Sequence, residues 1–126
     1  MIKRIIHSDA APAAIGPYSQ AVCAGDMMFL SGMLGVDPST GAFAGDTAVE
    51  QARQACINIR ALLNSEGLTE QNVVKTTVFL KDLSEFSAVN AVYGELFSSD
   101  CPARSCVEVS RLPKDAQVEI ECIAIR

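Results

Sequence analysis

One arginine of this chain stands in a setting that suits chemistry. In Cys101-Pro102-Ala103-Arg104-Ser105-Cys106 the proline fixes the backbone just before an alternating stretch begins. Arg104 therefore opens a strand at a defined place. A guanidinium held there can grip a carboxylate through two parallel hydrogen bonds. The ordinary role of such a residue is a surface or interface ion pair, so the residues around it have to decide.

Glu119 is the natural companion. A carboxyl group confined near Arg104 can take a proton from water or hand one to a substrate nitrogen. Glu121 shares its strand parity, and pattern alone does not separate the two. Tyr18 follows Gly16-Pro17 in a constrained loop, where it can pack or close over a ligand. Cys106 reads as a small packing residue, because no base stands near it in sequence.

Other chemistries lack their residues. His7 is the single histidine, and no CxxC pair accompanies the five cysteines, so no metal site is expected. No nucleophile elbow or hydrolase triad is present. The glycines at 32, 35, 41 and 45 fit neither a phosphate loop nor a dinucleotide fingerprint, and no cofactor is expected. With 10 basic and 15 acidic side chains the net charge is −5, which disfavours binding along nucleic-acid backbone.

The elements that must position these residues follow from the spacing. The chain of 126 residues, 49% hydrophobic, reads as one domain over residues 1–126. Its opening residues carry no signal-like apolar run, and no stretch reaches the roughly 20 apolar residues of a membrane span. An odd cysteine count without a secretory start points to reduced thiols in the cytoplasm, or in a mitochondrial matrix.

Ile2, Ile5 and Ile6 suggest a first strand, and residues 10–17 a loop. Ser19–Ala24 and Met27–Ser31 flank Gly25-Asp26 as a hairpin, with a turn at Asp37–Gly41. Val49, Ala52, Cys56, Ile59 and Leu63 form one helical stripe. Asp46 or Thr47 caps it, Glu50 completes a capping box after Thr47, and Gly67 closes it. Val74 to Leu80 alternates as a strand. Ser84 is expected to cap a second helix carrying Phe86, Val89, Tyr93 and Leu96 or Phe97.

Two strands end the chain. In the first, Val107 and Val109 are expected to face the helices, with Arg104, Cys106 and Glu108 opposite. In the second, Val118, Ile120, Cys122 and Ala124 oppose Glu119, Glu121, Ile123 and Ile125. Arg104 and Glu119 are then both expected on the sheet face away from the helices. Two helices cover only one side, so the uncovered face with Ile123 and Ile125 implies an oligomer, with any site built where subunits meet.

Five segments carry a resemblance. Gly16–Ala21, Leu30–Gly41, Val73–Leu83, Val89–Phe97 and Pro102–Ala124 together resemble the RidA family, also called YjgF or the reactive-intermediate imine deaminases. The likeness runs over nearly the whole chain, in the same order and with similar spacing. It implies a chorismate-mutase-like α+β fold: a mixed sheet with two α-helices on one face, the sheets lining a homotrimeric barrel with sites at subunit interfaces.

The implied activity is hydrolysis of 2-imino acids, such as 2-iminobutanoate and 2-iminopropanoate, to 2-oxo acids and ammonia, which protects pyridoxal-phosphate enzymes. By the resemblance, Arg104 clamps the substrate carboxylate with the Gly32 N–H that follows Ser31, and Glu119 positions or activates water. Tyr18 and Asn90 line the cleft, and the backbone around Cys106 holds the imine nitrogen. Met33 stands where many relatives have Gln, and Cys101 where Phe usually precedes Pro-Ala-Arg; both bear on the substrate profile.

The alternative is a member of the same family without this turnover: a 2-oxo acid-binding protein, a chaperone-like protein, or a translation inhibitor with ribonuclease activity. The acidic charge and lone histidine argue against the ribonuclease. Glu119 separates binding from catalysis, since only turnover needs it.

Overall fold

The alternation of residues 118–125 and the three-and-four spacing of residues 48–65 organise the molecule. In the computed structural model, which describes residues 2–126, β6 (Val118–Ile125) buries Val118, Ile120, Cys122 and Ala124 beneath α1 (Ala48–Ser65). The helix buries a wider stripe than the expected one, because Ala55 and Leu62 join Ala52, Cys56, Ile59 and Leu63. Its ends are built as the sequence indicates. Thr47 Oγ1 accepts from the Glu50 N–H at 3.1 Å, and Glu50 Oε1 accepts from the Thr47 N–H at 3.3 Å. Gly67, at φ +72°, turns the chain out, while the Leu68 N–H returns to the Leu63 carbonyl at 3.0 Å.

Around β6 lie β1 (Lys3–Ile6), β2 (Ala21–Ala24), β3 (Met27–Leu34), β4 (Val73–Leu80) and β5 (Ala103–Glu108), in the order β1-β2-β3-β6-β4-β5. Only β4 and β5 pair in parallel, joined through α2 (Phe86–Leu96); the other pairs are antiparallel. The fold is thus α+β, as expected, with α1 and α2 packed together over one buried cluster. No helix of the described residues is long and apolar enough to cross a membrane.

The entrance to α2 differs from the expectation. Ser84 does not cap α2, which has no side-chain cap. Asp82 instead caps the turn before it, its Oδ1 accepting from the Ser84 N–H at 2.9 Å and the Ser84 hydroxyl at 2.7 Å. Residues Leu83–Glu85 then form a tight turn before the α-helix proper. Both side chains suit a cap, and the extra turn gives the capped end to Asp82, two residues upstream, and lets α2 continue from that turn.

The facing of β5 is also the reverse of the expectation. Arg104 pairs with Thr76 and Cys106 with Val78, and both partners on β4 are buried under the helices. Arg104 and Cys106 therefore share the helix side, and Val107 points to the open face, 43% exposed. The parallel register with β4 sets the facing, not the apolar count of six residues. At this edge α2 covers the sheet incompletely, so a long cationic side chain is accommodated there. Phe29 and Ile125 are likewise about two-fifths exposed on the open face (41% each), so that face has no cover within one chain.

Candidate functional site

Glu119 projects from β6 on the open face, opposite Phe79 of β4 and Leu34 of β3. Beside it β3 is bulged. Ser31 and Gly32 stand between the Leu30–Cys122 and Met33–Ile120 pairs, where β6 has only Glu121. The extra residue bends β3 toward the carboxyl group, so closely that a Cβ on Gly32 would lie 2.6 Å from Glu119 Cδ. Glycine leaves the carboxyl group in that place, since any side chain here would push the end of Glu119 aside. Ser31 is tied down on β2's leader, its N–H donating to the Gln20 carbonyl at 3.0 Å and its hydroxyl to the Ser19 carbonyl at 2.6 Å.

Tyr18 forms the opposite wall. Its backbone N–H donates to the Gly16 carbonyl at 2.9 Å, and its phenolic oxygen accepts from the Ile15 N–H at 3.3 Å. Tyr18, Ser31, Gly32 and Glu119 thus border one cleft of about 770 Å³, with Ile15 and Lys114 on its rim. Partial burial pushes the Glu119 pKa up, and the nearby charge of Glu121 adds to the rise. Among the described residues no donor reaches the Glu119 carboxylate, so it is available to water or a ligand.

Arg104, Asn90 and Cys106 lie elsewhere. Arg104 Nη1 donates to Asn90 Oδ1 on α2 at 2.7 Å. Its Cζ stands 4.8 Å from the centre of the Tyr93 ring and 5.4 Å from that of Phe86. No carboxylate of the described residues pairs with it. Cys106 lies beneath, partly buried; loss of water raises its thiol pKa against the opposing pull of Arg104, which keeps it a thiol. The expectation that Arg104 and Glu119 share a face is therefore corrected: one chain holds them on opposite faces of its sheet.

Several positioning residues are invisible to a search for apolar stripes. Gln20 is buried; its Nε2 donates to the carbonyls of Ser8, Ala11 and Pro12 at 2.8 to 3.2 Å, and its Oε1 accepts from the Ser8 N–H at 2.7 Å. It thereby pins the segment that carries the Tyr18 wall. Asn58, wholly buried on α1, donates to the carbonyls of Leu34 and Val36 at 3.2 and 2.8 Å and fixes the far rim. Gln51 bridges the Gly45 carbonyl and the Gln117 N–H. The usable signal was an amide at a buried position of an otherwise apolar face. Among the described residues no three metal-ligating side chains gather, and His7 pairs only with Asp9, in solvent.

Comparison with known proteins places this architecture. Residues 8–126 match the family profile described as endoribonuclease L-PSP. A RutC family protein of Haemophilus influenzae is 52% identical over 130 residues, covering 100% of this chain and 99% of that one. A 2-iminobutanoate/2-iminopropanoate deaminase of Salmonella typhimurium is 51% identical over 99% of each chain. The crystal structure of E. coli TdcF with bound serine is similar at a TM-score of 0.93, with 44% identity over 98% of each chain.

Proposed function

The chain belongs to the RidA/YjgF family, and from that premise we propose that it hydrolyses 2-imino acids, such as 2-iminobutanoate and 2-iminopropanoate, to 2-oxo acids and ammonia. The observation that carries this reading is the state of Arg104. Its guanidinium is held by a neutral amide and two aromatic faces, with no carboxylate of the described residues to neutralise it. Such a group is prepared to take a carboxylate from a ligand.

The remaining chemistry needs little equipment. A protonated imine is electrophilic at C2. Water adds there, and Glu119 as carboxylate accepts a proton from that water. Glu119 then returns the proton to nitrogen. As the C–N bond breaks and ammonia leaves, the carboxylate takes the carbinol hydroxyl proton, so that C2 becomes a carbonyl. That proton passes on to the departing ammonia as ammonium. A carboxyl group with a raised pKa is suited to these transfers. General acid–base help of this kind is worth about 10²–10⁴-fold, and holding the carboxylate and water together supplies more.

Because Arg104 and Glu119 lie on opposite faces, the working site is completed between copies. The Arg104 side of one chain meets the Glu119 cleft of the next, with Tyr18, Ser31 and Gly32 lining it. Head-to-tail contacts of this sort close into rings, and three copies form the homotrimer, with the open sheet faces turned inward. Covering Phe29, Val107 and Ile125 in this way removes apolar surface from water. The protein works in the cytoplasm, intercepting imines before they reach pyridoxal-phosphate enzymes.

The test is a coupled assay. A threonine dehydratase generates the imine in a buffer without strong nucleophiles, and its decay is followed. The protein should accelerate decay, and Arg104→Ala should abolish the acceleration. Decay at the spontaneous rate with wild-type protein, for small and large imines alike, would overturn the proposal and leave a ligand-binding role.

A further inference from the structure

Beneath the Arg104 guanidinium lies a polar pair that the chemistry above does not use. Thr76 of β4 is fully buried and Tyr93 of α2 nearly so, and their hydroxyls share a hydrogen bond of 2.7 Å. Tyr93 is the ring nearest to Arg104, at 4.8 Å, and its other neighbour is Phe97, with ring centres 4.7 Å apart. Thr76 is also the direct register partner of Arg104 in the parallel pair. Strand β4 therefore touches Arg104 twice, through the backbone pairing and through the Thr76–Tyr93 bond.

A long side chain at a sheet edge ordinarily samples many rotamers, and ordering it costs free energy whenever it binds. Here the backbone of Arg104 is fixed by β4, one end of its guanidinium by Asn90, and its flat face by a ring that cannot rotate freely. Cation–ring attraction favours this stacking but leaves the ring's own orientation unspecified. The hydroxyl bond to Thr76 supplies that specification. Burial raises the Tyr93 pKa against the pull of Thr76 and Arg104, so the phenol stays neutral and does not compete with a ligand carboxylate for the guanidinium.

We infer that Tyr93, anchored through its hydroxyl on Thr76, is a positioning residue that pre-orients the Arg104 guanidinium for the substrate carboxylate. The inference rests on the proposed clamp, and it extends that role from the residues at the cleft to a buried pair behind them.

The experiment uses the double variant Thr76→Val/Tyr93→Phe in the intact protein. The double change removes both hydroxyls without leaving either unpaired, and it keeps the ring and nearly all of the packing. Two readouts apply: calorimetric binding of 2-oxobutanoate, and the guanidinium resonances of isotope-labelled arginine assigned through Arg104→Lys. The double variant should melt near the wild type yet bind 2-oxobutanoate roughly threefold to tenfold more weakly, the cost of ordering one freed long side chain. In the imine assay the loss should fall on KM and spare kcat.

Distinct Nη resonances of Arg104 should merge as the group gains rotation. In an Arg104→Ala background the double change should weaken binding no further. Wild-type binding together with unchanged Arg104 resonances in the double variant would overturn the inference and leave the pair a packing feature. Failure of wild-type protein to bind 2-oxobutanoate would count against the clamp itself. The resonances would still decide the positioning role, since they need no ligand.

Discussion

Arg104 and Glu119 stand on opposite faces of one six-stranded sheet. Arg104 is paired with buried Thr76 on the helix side, and Glu119 is paired with Phe79 on the open side. Under the proposed function both act on one small substrate, which they cannot reach together from there within a single chain. In the proposed mechanism the uncovered sheet face becomes a functional requirement, because a second copy would bring the two together.

The close approach of Gly32 to Glu119 gives the first prediction. In Gly32→Ala the new methyl group meets the Glu119 carboxyl group, whose flexible end must swing aside. Misplacing a reacting group by about 1 Å costs on the order of 10²-fold in rate. We expect kcat in the coupled assay to fall by about that factor while the melting temperature changes little. Unchanged kcat would remove Glu119 from the water-positioning role.

The pH dependence has a definite sign. Burial and Glu121 raise the Glu119 pKa above the ordinary glutamate value of 4.5. Glu119 therefore holds its proton more tightly in the folded state than in the unfolded chain. Its contribution to stability is fully present below the unfolded value and is lost as pH rises through the raised folded value. In denaturant titrations across this window, the stability of the wild type relative to Glu119→Gln should fall with rising pH. The acidic limb of kcat/KM should move to lower pH in Glu121→Gln, where one cause of the raised pKa is gone.

Asn58 tests the architecture of the cleft rather than its chemistry. Asn58→Ala leaves the buried carbonyls of Leu34 and Val36 without their shared donor. An unsatisfied buried group of this kind costs about 2 kcal/mol. Urea unfolding should report that loss. A change within a few tenths of a kcal/mol would mean that water or a rearranged backbone replaces the amide.

Much of the fold can be read along the chain because its signals are local. The Thr47–Glu50 capping box, the Gly67 terminus and the Gly25-Asp26 hairpin each depend on neighbours within a few residues. So does the alternation of Val118 to Ala124. The facing of β5 does not, since it is inherited from a parallel partner some thirty positions upstream, and a six-residue strand whose one valine is Val107 points the wrong way when read alone. The bulge at Ser31-Gly32 is hidden for the same reason, as it exists only in the pairing with β6, some ninety positions downstream. Among the candidate residues, Tyr18, Ser31, Gly32 and Glu119 share one cleft, whereas Arg104, Asn90 and Cys106 form a second group. Residue types indicated both groups, but only the three-dimensional register separates them.

The most direct test of this account is activity in mixed assemblies. Arg104→Ala and Glu119→Gln subunits, each prepared alone, should be inactive in the coupled imine assay. Unfolded and refolded together, they should regain a fraction of wild-type turnover, because some interfaces then join an intact Arg104 to an intact Glu119. Mixed assemblies as inactive as either parent, with mixing verified by mass spectrometry, would contradict a site shared between copies.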